Sequence, residues 1–215
     1  NAKWGAFDHV VFNRLYQDLH QEQEPFFAVC YTLSSHEPFD VPMKSNFYGS
    51  DSYSKFLNSV HYSDSCIGDF MQKASREPWW NNTVVIFVSD HGARIAKLVS
   101  TVDKFHIPMI WCGGAIEKDT IVSDLICQCD LPMMLCNQLN VNSERFYLSK
   151  DILRGDNSFA FYAFNNGFGY LRGNQFVSWD NENSEIIAKT DNLTDSTIQQ
   201  GKAFLQKVTT DFCRK

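Results

Sequence analysis

The chain has 215 residues, 44% of them hydrophobic and 14% aromatic, with a formal net charge of −6. That is enough apolar material for one good-sized domain, or for a domain with a small appendage, and it excludes a disordered chain. Basic clusters that would mark a nucleic-acid surface are absent, and no apolar stretch reaches the length that spans a bilayer.

Taken in order, Asp8 precedes Val10, Val11, Phe12 and Leu15, which predicts an amphipathic helix with Asp8 as its N-cap. Phe26 to Leu33 is an apolar run with little alternation and is expected as a buried strand. It gives way to Ser34-Ser35-His36-Glu37-Pro38-Phe39, a loop in which Pro38 and Pro42 prevent regular structure. His36 thus falls at a strand's carboxyl end, where open α/β sheets collect their chemistry. From Tyr53 onward, Phe56, Leu57, Val60, Ile67, Phe70 and Met71 form a helical stripe suited to packing on a sheet, with Asp64 at its boundary.

Thr83 to Val88 reads as a strand buried on both faces, the pattern of a central strand in a parallel sheet. It ends in Ser89-Asp90-His91-Gly92. A carboxylate and an imidazole there, followed by a Gly that lets the backbone turn, fit two descriptions equally well. One is a polar turn capped by Asp90; the other is a pair of ligands to a divalent metal. A loop with Arg94 and Lys97 follows, then a third strand within Phe105–Gly114, which places His106 on the loop side. Asp130-Leu131-Pro132 opens a further helix, with Asp130 as N-cap and Pro132 in the first turn.

Composition changes near Gly155. Phe159 to Phe164, Gly169 to Leu171, Gln175 to Trp179 and Glu185 to Lys189 are short alternating strands separated by Asn/Gly turns, an antiparallel meander. Asp195 to Phe212 closes the chain as an amphipathic helix. The expected division is therefore an α/β core over 3–154 and a small β-rich module with a terminal helix over 155–215. Seven cysteines are present, several of them inside apolar runs, and most are expected as buried free thiols. Cys127-Gln128-Cys129 has the wrong spacing for a zinc knuckle.

The segment Thr32-Leu33-Ser34-Ser35-His36-Glu37-Pro38-Phe39 resembles the Leu-Ser-x-His-x-Pro-Phe stretch of the lipoteichoic acid synthase branch of the sulfatase-like enzymes. Val60-His61-Tyr62-Ser63-Asp64 with Ile67-Gly68-Asp69-Phe70 resembles that branch's next helix, and Val88-Ser89-Asp90-His91-Gly92 its metal-binding turn. His106-Ile107-Pro108-Met109-Ile110 and Asp130-Leu131-Pro132 are similar to the two elements that follow, all in family order from about Trp4 to Asp151. The resemblance implies an alkaline-phosphatase-like, mostly parallel sheet flanked by helices. It also implies an extracytoplasmic catalytic domain tethered to the membrane by upstream helices. The implied activity is transfer or hydrolysis of a phosphodiester or sulfate ester on a phospholipid headgroup or glycan. Its nucleophile is a hydroxyl, usually Thr, bound to a divalent metal.

Carried over by position, Asp90 and His91 are metal ligands and His36 contacts the phosphoryl oxygens or the leaving group. A mixed oxygen and nitrogen set suits Mn²⁺ or Zn²⁺ better than Mg²⁺. The family's nucleophile and first carboxylate ligand, however, lie upstream of every motif in this chain. The sulfatase nucleophile pattern, Cys or Ser two before a Pro, is missing as well: Gln23, His36, Asp40, Arg76, His106 and Asp130 occupy those positions. The resemblance therefore implies the carboxyl-terminal portion of a catalytic domain, without its own nucleophile and inactive alone. Two other readings stand beside it: a true sulfatase, which the Leu-Ser-Ser-His loop opposes, and a non-catalytic binding or sensor module of the same fold.

Overall fold

The computed structural model describes residues 3–93 and 102–214, so Arg94 and Lys97 lie outside the described residues. The chain folds as two units, 1–119 and 120–215. The change in composition at Gly155 falls inside the second.

In the first unit, helix α1 spans Asp8–Gln21 and helix α2 spans Ser52–Ala74. α2 begins where a cap is available: the Asp51 carboxylate accepts from the backbone N–H groups of Tyr53 at 3.1 Å and Ser54 at 3.3 Å. The buried stripe of α2 is Asn58, Tyr62, Cys66, Phe70 and Ala74, spaced by four, and it meets Phe12 and Leu19 of α1. Of the expected stripe, Phe70 is buried and Ile67 and Met71 pack against this core, while Val60 and the boundary residue Asp64 are exposed. Trp79, in a short 3-10 turn over Pro78–Asn82, closes the core and takes the edge of Phe26 at a 5.5 Å centroid distance.

The strand that ends near Asp90 forms as β1, Val85–Val88, and the one after His106 forms as β2, Met109–Cys112. They pair antiparallel, with Val85 opposite Cys112 and Val88 opposite Met109. The expected parallel arrangement is thus replaced, among the described residues, by antiparallel pairing. An apolar run reports burial, whereas direction follows from the connection, and here the chain leaving Val88 re-enters at the same end. Burial is also shallower than predicted, because Val88 is 40% and Ile110 56% exposed. Phe26 to Leu33 runs extended without a ladder partner among the described residues, and its alternate side chains Phe27, Val29 and Tyr31 face solvent.

The second unit contains helix α3, Leu131–Gln138, and a meander of four strands, each antiparallel to the next: β3 Ala160–Phe164, β4 Gly167–Arg172, β5 Gln175–Asp180 and β6 Glu185–Lys189. Helix α4, Asp195–Cys213, packs on this sheet over Phe168, Tyr170 and Val177, which form its core with Ile198 and Leu205. Burying each large apolar side chain there contributes about 1.5–3 kcal/mol. Gly201 permits the close crossing: a Cβ at that position would sit 2.5 Å from the Phe168 ring. No helix among the described residues is long and apolar enough to cross a membrane.

Candidate metal and phosphoryl site

Asp90 and His91 follow β1 after Ser89, and both are about half exposed. Their side chains converge, with Nε2 of His91 3.7 Å from Oδ2 of Asp90. The turn is held locally, since the His91 N–H donates to Asp90 Oδ1 at 2.9 Å. His91 Nδ1 lies 2.9 Å from the Gly92 carbonyl. A carbonyl only accepts, so Nδ1 carries a hydrogen; in the neutral ring that leaves the lone pair on Nε2, on the side of the carboxylate. Neighbouring ligands of one cation at ~2.1 Å lie ~3.0–3.4 Å apart, so a small closure of the observed 3.7 Å would let both atoms share a divalent metal. Among the described residues no group of three or more His, Cys, Asp or Glu side chains is gathered about one point.

Gly92 is required by packing. A Cβ there would stand 1.8 Å from the Lys104 carbonyl oxygen, in the 3-10 turn Asp103–Phe105. That contact brings the chain preceding β2 against the Asp90–His91 turn. His106, just after this turn, is exposed.

Sequence reasoning missed Tyr31. Its hydroxyl donates a short hydrogen bond to Oδ2 of Asp90. That bond, helped by the neighbouring His91, holds the Asp90 carboxyl below its ordinary range against the opposing effect of partial burial. The same bond pushes the Tyr31 phenol up. Its sequence setting, the apolar run Phe26 to Leu33, is the same as that of a core strand.

His36 lies on a separate, well-braced loop. Its Nδ1 is 2.9 Å from the Glu37 carbonyl, which also accepts from the Trp4 indole at 2.7 Å. The Trp4 ring meets His36 edge-on at 5.7 Å. Phe39 closes the turn at φ 64°, a left-handed conformation that bulky residues rarely adopt, with its ring packed on Phe56. Asp8 anchors the loop from below. The expected N-cap is in fact Phe7, and Asp8 is the first helical residue, fully buried. Its carboxylate accepts from the N–H groups of Leu33 at 3.2 Å and Ser34 at 3.0 Å, and from the Ser63 hydroxyl at 2.7 Å. One buried charge thereby ties α1, α2 and the His36 loop together.

Residues 1–141 match the profile of the Sulfatase family. The chain belongs to that family. Its relatives include a lipoteichoic acid synthase-like protein, YvgJ, of Bacillus subtilis, 25% identical over 96 residues, 42% of this chain and 16% of that protein. Another is phosphoglycerol transferase I of Citrobacter koseri, 24% identical over 130 residues, 55% of this chain and 17% of that protein. This chain thus aligns with about a sixth of the length of those curated relatives. A Vibrio parahaemolyticus protein of the alkaline phosphatase superfamily superposes with a TM-score of 0.82 at 24% identity, covering 99% of this chain and 56% of that one. The lipoteichoic acid synthase LtaP of Listeria monocytogenes superposes at 0.74 with 17% identity, covering 96% of this chain and 59% of that one. The fold is accordingly the α/β fold of the alkaline phosphatase superfamily.

Proposed function

We propose that this chain is the carboxyl-terminal part of the catalytic domain of a metal-dependent enzyme acting on phosphodiesters of the phosphoglycerol type, as transferase or hydrolase. The observation that carries the reading is the Asp90–His91 pair, two lone-pair donors 3.7 Å apart at the end of β1. The names of the two curated relatives supply the substrate class. Mn²⁺ suits the donor set first, then Zn²⁺ or Mg²⁺. When bound, such a cation neutralises charge developing on the phosphoryl group and lowers the pKa of a coordinated hydroxyl.

This chain's own residues position and orient. Tyr31 fixes the direction of the Asp90 carboxylate, and the Gly92 carbonyl fixes the tautomer of His91. His36, held through Nδ1, turns Nε2 outward; protonated there, it donates to a phosphoryl oxygen or to the leaving group. The Thr or Ser nucleophile and a further acidic ligand belong to sequence outside this chain, in keeping with the fraction of each relative that it spans. The full protein in this reading is anchored in the membrane with its catalytic domain on the extracytoplasmic side, and the chain alone is inactive. Sulfate-ester hydrolysis by the same metal site is the alternative that the family name keeps open.

The test is the reading frame ahead of Lys3. It is expected to encode a Thr or Ser nucleophile, an acidic ligand and apolar spans. A frame without the first two, or metal-dependent turnover of a bis-aryl phosphate by the purified chain, overturns the assignment.

A further inference from the structure

The second unit holds a buried, charged thiol cluster that the phosphoryl chemistry does not use. Cys127 is 9% exposed, at the N-cap of a 3-10 turn over Gln128–Asp130. Its sulfur is ringed by donors. The backbone N–H of Phe161 points at Sγ from 3.1 Å, and the N–H of Asp130 reaches it through the capping box of the turn. The ammonium of Lys150, only 7% exposed, lies 4.0 Å away. The thiol of Cys129 lies two residues on, at the surface.

Lys150 is itself fixed in place. It is ion-paired with the buried carboxylate of Asp130 and lies over the Phe159 ring, 4.1 Å from its centre. Asp130 in turn accepts from the N–H groups of Cys127 at 2.6 Å and Lys150 at 3.0 Å. Asp130 therefore holds the N-cap position of α3 expected from the sequence but turns its side chain backwards into this cluster.

Three donors converge on this sulfur against one long contact to an acceptor, the Phe159 carbonyl at 3.9 Å, which favours a thiolate, and a cation beside Lys150 would be repelled, so the chemistry favours oxidation over metal binding. The surrounding charges bear this out in direction: the Cys129 hydrogen bond and Lys150 pull the Cys127 thiol below its ordinary value despite burial and Asp130, while the Cys129 thiol is pushed up. An i, i+2 pair keeps its Cα atoms within ~7 Å, inside disulfide reach after a small adjustment of the turn.

We propose that Cys127 and Cys129 are a redox-active pair, Cys127 the attacking thiolate and Cys129 the resolving thiol, closed to a disulfide by a small hydroperoxide. The Cys127 thiolate attacks the terminal peroxide oxygen, forming an S–O bond as the O–O bond breaks. The leaving hydroxide or alkoxide takes a proton. The Cys129 sulfur then displaces hydroxide from the sulfenic acid, and the Cys129 proton leaves with it as water. Two thiols are oxidised and one peroxide is reduced. The resulting covalent loop would remove the thiolate that Lys150 faces, leaving the Lys150–Asp130 pair to hold α3 alone.

The test uses the unmodified reduced chain and hydrogen peroxide, with the exposed Cys213 as an internal reference. Mass spectrometry with fragmentation is expected to find the loss of two hydrogens at Cys127 and Cys129 before Cys213 changes. In Cys129→Ser, dimedone is expected to trap a sulfenic acid on Cys127. Lys150→Met, its fold checked by circular dichroism, is expected to slow alkylation of Cys127 roughly tenfold, the effect of one unit of thiol pKa. Oxidation of Cys213 ahead of the pair, or dimedone adducts only on residues other than Cys127, overturns the proposal.

Discussion

At the scale of single residues, the Asp90–His91 turn depends on a glycine that has no room for a side chain. Gly92→Ala would drive a methyl into the Lys104 carbonyl, so the turn before β2 must move away and carry His91 with it. The expected cost is about 1–3 kcal/mol in urea unfolding, with Mn²⁺ affinity falling at least ~10-fold through loss of ligand geometry. Unchanged affinity would show that the His91 position does not depend on this contact. Tyr62 gives a test by pH. It is buried on α2 with its oxygen 2.5 Å from Nδ1 of His9, and burial pushes its phenol from 10.0 up to about 12. A raised folded pKa means that folding favours the neutral phenol, so its contribution is complete below pH 10.0 and is lost as the pH rises through about 12. Tyr62→Phe is expected to remove that alkaline loss, seen as a urea midpoint less sensitive to pH in this window. A variant with the same alkaline slope as the wild type would refute it.

At the scale of elements, Asp8 is the joint of the first unit. Asp8→Ala leaves the N–H groups of Leu33 and Ser34 and the Ser63 hydroxyl without their acceptor in a buried setting. A loss of about 3 kcal/mol is expected by urea unfolding, with Asp8→Asn recovering part of it. Equal stability of the alanine variant and the wild type would mean that the loop is held by other contacts. This role was not legible in the sequence, because an Asp one residue before a helical stripe looks the same whether it caps the helix or accepts from a loop brought in from afar. The meander was legible: the strand expected at Glu185–Lys189 forms over those residues, and the others fall within two residues of expectation. Period-two alternation and Asn/Gly turns are local signals. Phe26–Leu33 shows the opposite. Its apolar pattern matches a buried strand, but a ladder needs a neighbour, and the chain remains extended with Phe27 and Val29 about four-fifths exposed.

At the scale of the whole molecule, the family was readable because motifs separated by dozens of residues occur in one order, and residues 1–141 match the Sulfatase profile. Pairing direction was not readable, since it depends on how the segment between β1 and β2 returns. The proposed site was only partly marked in the sequence. Asp90 and His91 declare themselves by type and by position after a strand, whereas Tyr31 reaches Asp90 across 59 positions of sequence, with nothing local to mark it. The account rests on a cation shared by the carboxylate and the imidazole at the end of β1. The measurement that tests this most directly is Mn²⁺ titration of the wild type, Asp90→Ala and His91→Ala by calorimetry, with Cys127→Ser as an unrelated control. The account predicts measurable binding by the wild type and the control, and a loss of at least ~10-fold in each site variant. Equal affinity across all four proteins would contradict it.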